Sequence, residues 1–76
     1  MNINYRYEST QRPVSIGTYP KRGAVDLWNY KGGRQEVYDE DGNKIMSWGY
    51  IAYNRKLTEK EMADYELVYG GEEIAI

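Results

Sequence analysis

Short runs of alternating apolar and polar residues recur along this chain of 76 residues, and glycine-containing turns separate them. Such alternation is typical of β-strands that bury one face. The pattern predicts three strands, at residues 24–30, 34–39 and 44–53. Glycine pairs and Asp-Gly steps favour tight hairpin turns, so Lys31-Gly32-Gly33 and Asp41-Gly42 are predicted to connect these strands. Residues 1–10 are more polar and favour a frayed end, with a short edge strand as the weaker alternative.

The longest predicted strand is KIMSWGYIAY, residues 44–53. Ile45, Ile51 and Tyr53 share one face in a period of two, while Met46 and Trp48 share the other. Because both faces are largely apolar, this strand is predicted to lie in the centre of the sheet or to be covered on both sides. Glycine inside a strand marks a bulge or the close approach of another backbone, and Gly49 is predicted to serve one of these purposes.

A helix is predicted after this strand. Thr58 and Glu61 have the spacing of a capping box, and Leu57 and Met62 have the spacing of a hydrophobic staple. One side of the helix would be lined by Met62, Tyr65, Val68 and Tyr69. Gly70-Gly71 is predicted to end it, because glycine is common just past a helix C-terminus. Residues 72–76 would then form either a tail or a short last strand.

Together these elements predict one α+β domain over residues 1–76. Its expected architecture is a small antiparallel β-meander of three or four strands, packed with one C-terminal α-helix. Cysteine and histidine are both absent, whereas nine Tyr and two Trp are present. Disulfides and a structural zinc site are thereby excluded. Aliphatic residues are scarce, so aromatic rings are predicted to fill much of the core rather than to form an exposed stacking platform.

No catalytic or cofactor motif is present in the sequence, so we expect a protein that is not an enzyme and carries no cofactor or metal. Without His or Cys, a general base would have to be a carboxylate, a lysine or a tyrosine. The acidic turn at residues 39–43 has its glycine in the fourth position, whereas a calcium-binding EF-hand loop needs glycine in the sixth. A hairpin turn explains that segment better than a calcium site does.

Charge divides the chain unevenly, although the formal net charge is only −2. Residues 1–34 carry a net charge of +4, and residues 35–76 carry a net charge of −6. An acidic helix face could meet a basic groove on a partner protein, and exposed tyrosines are frequent in interfaces. The partner-binding candidates are therefore Glu59, Asp64, Glu66, Tyr30 and Tyr38.

Single-strand nucleic-acid binding is the alternative, because it needs aromatic rings beside basic residues. Trp28, Tyr30, Trp48 and Tyr50 could stack bases, although the acidic pI of about 5.0 argues against this function. Its candidate residues are the basic ones of the first half: Arg12, Lys21, Arg22, Lys31 and Arg34. An ordinary solvated helix and sheet would account for the same charges. The sequence alone does not show whether there is a pocket for a small nucleotide.

Two blocks of the sequence, RPVSIGTYP and WGYIAYNRKLTEKEMADYEL, carry a family resemblance. They resemble the large polyvalent protein-associated domains, which are short accessory domains of phages and mobile elements. The matching residues are Arg12, Pro13, Val14, Gly17, Trp48, Gly49, Tyr50, Tyr53, Arg55, Leu57, Thr58, Glu61, Tyr65, Glu66 and Leu67. The resemblance implies an accessory protein of a phage or mobile element, involved in counter-defence, and it implies no catalytic residues.

The function expected from the sequence is binding of another macromolecule, foremost a protein, as a counter-defence inhibitor. The N-terminal segment lacks the apolar core of a signal peptide, and no stretch approaches the length of a membrane span. We therefore expect the cytoplasm of a bacterial host and no membrane partner. The oligomeric state stays open, with a homodimer as one alternative because the core is thin.

Overall fold

Six strands and one short helix make up the protein in a computed structural model that describes residues 2–15, 17 and 19–75. In chain order the elements are β1 (Asn2–Ser9), β2 (Ala24–Asn29), β3 (Gln35–Tyr38), β4 (Lys44–Ser47), β5 (Gly49–Tyr53), α1 (Glu59–Asp64) and β6 (Leu67–Ala75). The predicted α+β class, an antiparallel sheet with one helix near the C-terminus, is confirmed.

The strand order differs from a meander. Four strands form one sheet in the order β2-β5-β1-β6, and β3 and β4 form a separate two-stranded sheet. Every pair is antiparallel. The Asp41-Gly42 turn connects β3 to β4 as predicted, and Gly42 has a φ of 86°. Gly32 and Gly33 also have positive φ, but their turn leads from one sheet to the other and forms no hairpin.

The frayed or edge-strand prediction for the N-terminus is wrong, because β1 lies inside the sheet. It pairs with β5 on one side and with β6 on the other. Tyr7 faces Ile51 in β5 and Tyr69 in β6, and it is almost completely buried. Tyrosine can bury a large ring while its hydroxyl keeps a polar partner. Here the Tyr7 hydroxyl accepts the backbone N–H of Leu57 at 2.9 Å, which explains how a polar-looking segment can lie in the centre.

The capping box predicted at the start of the helix is present. The Thr58 hydroxyl accepts the Glu61 N–H at 3.1 Å, and the Glu61 carboxylate accepts the Thr58 N–H at 3.0 Å. Leu57 belongs to the core cluster, and Met62 packs against that cluster, as a hydrophobic staple requires.

The predicted end of the helix at Gly70-Gly71 is wrong, because α1 stops at Asp64. Glu66, two residues after the last helical residue, adopts the left-handed conformation with φ 55°, which prevents the helix from continuing. Residues from Leu67 onward pair along β1, with one register shift between Arg6 and Tyr7. That pairing satisfies a whole row of backbone groups on β1, whereas a longer helix would leave them unpaired. Residues 72–75 belong to β6, and Ile76 lies outside the described residues.

The core lies on one face of the four-stranded sheet, between the sheet and the segments at Val14, Tyr19 and Leu57. The prediction that tyrosines fill the core is confirmed: Tyr7, Tyr19 and Tyr53 are buried beside Ile51 and Leu67. The Tyr53 hydroxyl donates to the Pro20 carbonyl at 2.7 Å, and burial raises the pKa of Tyr53 to about 12. The indoles contribute less than expected, because Trp28 is 50% exposed and Trp48 is only half-buried.

The predicted strand at residues 44–53 is interrupted at Trp48. This residue donates its N–H to the Ser9 carbonyl at 2.7 Å and accepts the Tyr30 N–H at 3.0 Å. Only the second half, β5, occupies the predicted central position in the sheet. The close approach predicted at Gly49 is confirmed, because a Cβ there would lie 2.2 Å from the Trp28 carbonyl oxygen.

Candidate interaction surface

Opposite the core, the four-stranded sheet has a second face with a mixed polar and aromatic character. Residues that face each other across antiparallel strands share one side of the sheet. The register pairs Glu8 with Tyr50, Trp28 with Tyr50, and both Arg6 and Asp26 with Ala52. We call this side the polar face and define it by five residues: Arg6, Glu8, Asp26, Trp28 and Tyr50.

Trp28 is the most prominent aromatic residue of the polar face. It is half exposed and lies opposite Tyr50, whose ring carries the Arg6 guanidinium 5.4 Å from its centroid. A second ring, that of Tyr30, packs against Tyr50 with centroids 6.4 Å apart. Burial, followed by the nearby Asp26 carboxylate, raises the pKa of Tyr50, so its hydroxyl stays neutral at physiological pH. The result is a supported aromatic surface from which one indole remains accessible.

Glu8 is the buried residue of the polar face, and its carboxylate fixes the neighbouring side chains. Its carboxylate is fully buried, and one oxygen, Oε1, lies 2.8 Å from the Ser47 hydroxyl and 3.3 Å from the Tyr30 hydroxyl. The other oxygen, Oε2, lies 3.0 Å from Arg6 Nε, without the alignment of a directed hydrogen bond. A buried carboxylate needs such compensation to remain charged. This network connects β1 to the ends of β2 and β4 and orients both Arg6 and Tyr30.

The partner-binding tyrosines predicted from the sequence differ in accessibility. Tyr38 is 62% exposed on β3. Tyr30 is half-buried rather than exposed, because its hydroxyl reaches Glu8 and its ring packs on Tyr50. Burial and the Glu8 carboxylate raise the pKa of Tyr30. Tyr30 therefore supports the polar face, whereas Tyr38 lies in the separate two-stranded sheet.

The acidic helix face predicted from the sequence is mostly neutralised by neighbouring basic residues. Asp64 pairs with Lys60 at 2.8 Å, and Glu66 pairs with Arg12 at 3.0 Å. Glu59 is exposed, and within the described part of the chain it has no ion pair. The pairing of Glu66 with Arg12 joins two residues that the sequence assigned to different functions, and it reduces the charge that either could offer to a partner.

The other basic candidates lie on the surface in different settings. Arg34 packs over the Trp48 ring at 5.8 Å, and Lys31 is exposed in the turn after β2. Lys21 and Arg22 are exposed just before β2, where the Arg22 carbonyl accepts the Arg55 Nε–H at 2.9 Å. Arg12 differs from these four because its guanidinium stacks on Tyr19 and binds Glu66.

A cavity of about 470 Å³ opens at the β2 edge of the sheet. Its lining comes from Pro20, Lys21, residues 24–27 and Ile51. The volume falls in the range of about 300–1,000 Å³ that is usual for ligand pockets. Sequence reasoning did not find this cavity, Arg6 or Glu8. The alternation of Ile3, Tyr5 and Tyr7 was the signal that could have identified β1 and its polar side.

Two negative findings concern the described residues alone. No group of three or more acidic, histidine or cysteine side chains there is arranged to hold a metal ion. No helix among them has the length and apolar character needed to cross a membrane.

Comparison with known proteins yields a protein family, described as "Defence against restriction A C-terminal", that matches residues 3–72. No curated protein and no solved structure matches the chain. The resemblance to large polyvalent protein-associated domains is not confirmed, although the coarser expectation of a phage accessory domain agrees with the matched family. Because the match covers nearly the whole chain, the protein belongs to the defence against restriction A C-terminal family, a phage-associated anti-restriction domain.

Proposed function

We propose that this protein is a non-enzymatic accessory domain of a phage, which counters host restriction in the bacterial cytoplasm by binding another protein. The family match over residues 3–72 is the observation that carries this proposal. The binding mode rests on the polar face, where an accessible Trp28 lies beside a Tyr50 ring supported by Arg6. Trp, Tyr and Arg are the residues that dominate binding energy at protein interfaces.

Preorganisation of the polar face supports protein binding. The Glu8 network fixes Arg6 and Tyr30, so little side-chain freedom would be lost when a partner covers them. The acidic helix contributes less than the sequence suggested, since Asp64 and Glu66 already have basic partners. Glu59 and Tyr38 stay predictions as peripheral contacts.

Nucleic-acid binding is the competing function, because Arg34 places a cation over the Trp48 ring and Lys31 is exposed nearby in the sequence. Binding of labelled single- and double-stranded DNA, measured by fluorescence anisotropy, distinguishes nucleic-acid binding from protein binding. We expect no saturable binding at micromolar protein concentrations. Micromolar binding that weakens steeply between about 50 and 200 mM salt would replace the protein-binding proposal with a nucleic-acid one.

The anti-restriction role is tested with a phage that encodes the chain and a derivative that lacks its coding sequence. Both are plated on a restricting host and on an otherwise identical host without the restriction system. We expect the derivative to plate less efficiently on the restricting host only. Equal plating of the two phages on restricting hosts of several restriction types would contradict the proposed role.

A further inference from the structure

The β2 strand forms an open edge of the four-stranded sheet. It pairs with β5 on one side, and no other described strand pairs with its second side. Leu27 donates its backbone N–H to the carboxylate of the preceding residue, Asp26, at 2.9 Å. A side chain thus takes the place of the carbonyl that a neighbouring strand would supply. The outer side of β2 is therefore where another strand could pair, and the register with β5 shifts between Ala24 and Asp26 in this stretch.

Only the N-terminal part of the β2 edge is free to pair with another strand. At the far end, the Asn29 side chain accepts the Val14 N–H and donates to the Val14 carbonyl, both at 2.7 Å. This pair of bonds imitates one step of a β-ladder, so the segment around Val14 already covers that end. Residues 24–26 are all exposed, and Val25 exposes 49% of its surface. The accessible stretch therefore coincides with the part of β2 that lines the cavity.

The cavity gives this edge chemical selectivity. Pro20, Leu27 and Ile51 supply an apolar lining, and the cavity has more than enough room for a large aliphatic or aromatic side chain. Lys21 also lines the cavity, and no acid of the described chain pairs with its ammonium group. The Asp26 carboxylate is held by the Leu27 N–H. One acid, Asp26, and one base, Lys21, line the cavity, and the exposed Arg22 directly after Lys21 makes basic residues more numerous here, which favours an acidic group on the ligand.

We propose that the partner protein adds an extended segment as a strand along residues 24–27 of β2. One apolar side chain of that segment enters the cavity, and a neighbouring acidic side chain meets Lys21. Main-chain hydrogen bonds would supply affinity and the cavity would supply specificity, as in other cases of strand addition. This inference rests on the proposed function, because it identifies the chemistry of the partner that the anti-restriction domain binds.

Selection of short linear peptides from a random display library against the full chain tests the proposal. We expect enriched sequences that alternate strand-forming and polar residues and that contain an apolar anchor next to Asp or Glu. Val25→Lys should remove the enrichment, since a charge blocks an edge strand. Lys21→Glu should change the selected acid to Lys or Arg. Met46→Lys, which places the same charge on an exposed residue of β4, should leave the selection unchanged.

Three outcomes would overturn the proposal: absence of enriched sequences, enrichment that survives Val25→Lys, or selected charges that ignore Lys21→Glu. Sedimentation of the wild type at increasing concentration adds a further test. A dimer that Val25→Lys dissociates would identify a second copy of the chain, not a peptide, as the occupant of the edge.

The phage plating comparison separates this inference from the proposed function. A phage that carries Val25→Lys is expected to lose protection on the restricting host, as the deletion derivative does. If Val25→Lys abolishes peptide selection but leaves protection intact, strand addition fails as the binding mode while the anti-restriction role stands. If the deletion itself has no effect on plating, the proposed function fails, whatever peptides the edge selects.

Discussion

The adjoining strands β4 and β5 come from one continuous alternating run of sequence, yet they lie in very different environments. In β5, the three consecutive residues Ile51, Ala52 and Tyr53 are buried. In β4, Lys44 and Met46 are exposed, and the strand pairs only with β3. Trp48 separates the two by hydrogen bonding to Ser9 and Tyr30. The difference shows that alternation predicts a strand, whereas its long-range partners decide how much stability that strand contributes.

Glycine substitution should give the largest contrast between the two regions. A Cβ at Gly49 in β5 would meet the Trp28 carbonyl at 2.2 Å and the Asn29 Cα at 2.9 Å, and neither backbone can easily move. We expect Gly49→Ala to lower the free energy of unfolding by about 3 kcal/mol or more. Gly42→Ala, in the turn after β3, meets open space and should cost about 1 kcal/mol for its positive φ. Urea denaturation measures both, and equal losses would contradict the comparison.

Truncation of aliphatic side chains should give the next largest difference. Ile51 is 3% exposed in β5, so Ile51→Ala should cost about 2–4 kcal/mol through lost burial and a cavity. Met46 is 40% exposed in β4, and Met46→Ala should change stability by no more than about 0.5 kcal/mol. Thermal unfolding of both variants measures the two losses of stability. A Met46 variant as unstable as the Ile51 variant would show that the two-stranded sheet belongs to the same core.

Ser47 joins the two regions, and its removal should have an intermediate effect. The buried hydroxyl lies 2.8 Å from Glu8 Oε1 and 2.7 Å from the Gly49 carbonyl. Ser47→Ala leaves the buried Glu8 carboxylate with fewer donors, which should cost about 1–3 kcal/mol. Glu8→Gln in the Ser47→Ala background should recover part of that loss, because a neutral group needs less compensation. A double-mutant cycle in denaturant measures the coupling, and strict additivity would argue against the network.

Removal of an ion pair should have the smallest effect on the free energy of unfolding, and that effect should depend on pH. Hydrogen bonds from Arg55, then from the Thr58 N–H, lower the pKa of Glu61 from 4.5 to about 2. A carboxyl group with a lowered folded-state pKa stabilises the fold above pH 4.5, and that stabilisation is lost as pH falls towards 2. Glu61→Gln should therefore cost about 1 kcal/mol at neutral pH, allowing for solvent screening, and much less near pH 2.

The matched control for that pH dependence is Glu36→Gln. Glu36 and Lys44 pair across β3 and β4 at 3.7 Å with both side chains more than half exposed. Such exposed pairs contribute little, so this variant should differ from the wild type by no more than about 0.3 kcal/mol at any pH. Acid unfolding curves of the two variants give the comparison. A larger neutral-pH loss for Glu36→Gln than for Glu61→Gln would reverse the proposed ranking.

Local signals in the sequence predicted local features of the fold. The capping box at Thr58 and Glu61, the Asp41-Gly42 hairpin and the close approach at Gly49 each depend on residues close together in the chain or on a missing side chain. Pairing of β1 with β5 and β6 was not predictable in the same way, because its partners lie forty or more residues away in the sequence. A polar strand gave no reason to expect a central position.

Features of the candidate surface also divide into those that local sequence predicted and those that depend on the fold. The exposure of Tyr38 agrees with the sequence-based expectation, whereas Tyr30 is held by Glu8, a residue in the segment expected to fray. Acidic residues at 64 and 66 were recognised. Lys60, the partner of Asp64, is a local i,i+4 neighbour on the helix, whereas Arg12, the partner of Glu66, is brought close only by the fold. Helix length was overestimated because apolar residues at 65, 67, 68 and 69 fit both a helical and a strand period.

The most direct test of the account is phage plating with Trp28→Ser, since the accessible indole of the polar face is its proposed contact with a partner. Met46→Ser is the matched control, because Met46 is similarly exposed but lies on β4. Both variants must first show wild-type circular dichroism. We expect Trp28→Ser to lower plating on the restricting host by roughly tenfold or more, and Met46→Ser to plate like the wild type. Full protection by a folded Trp28→Ser variant would contradict it.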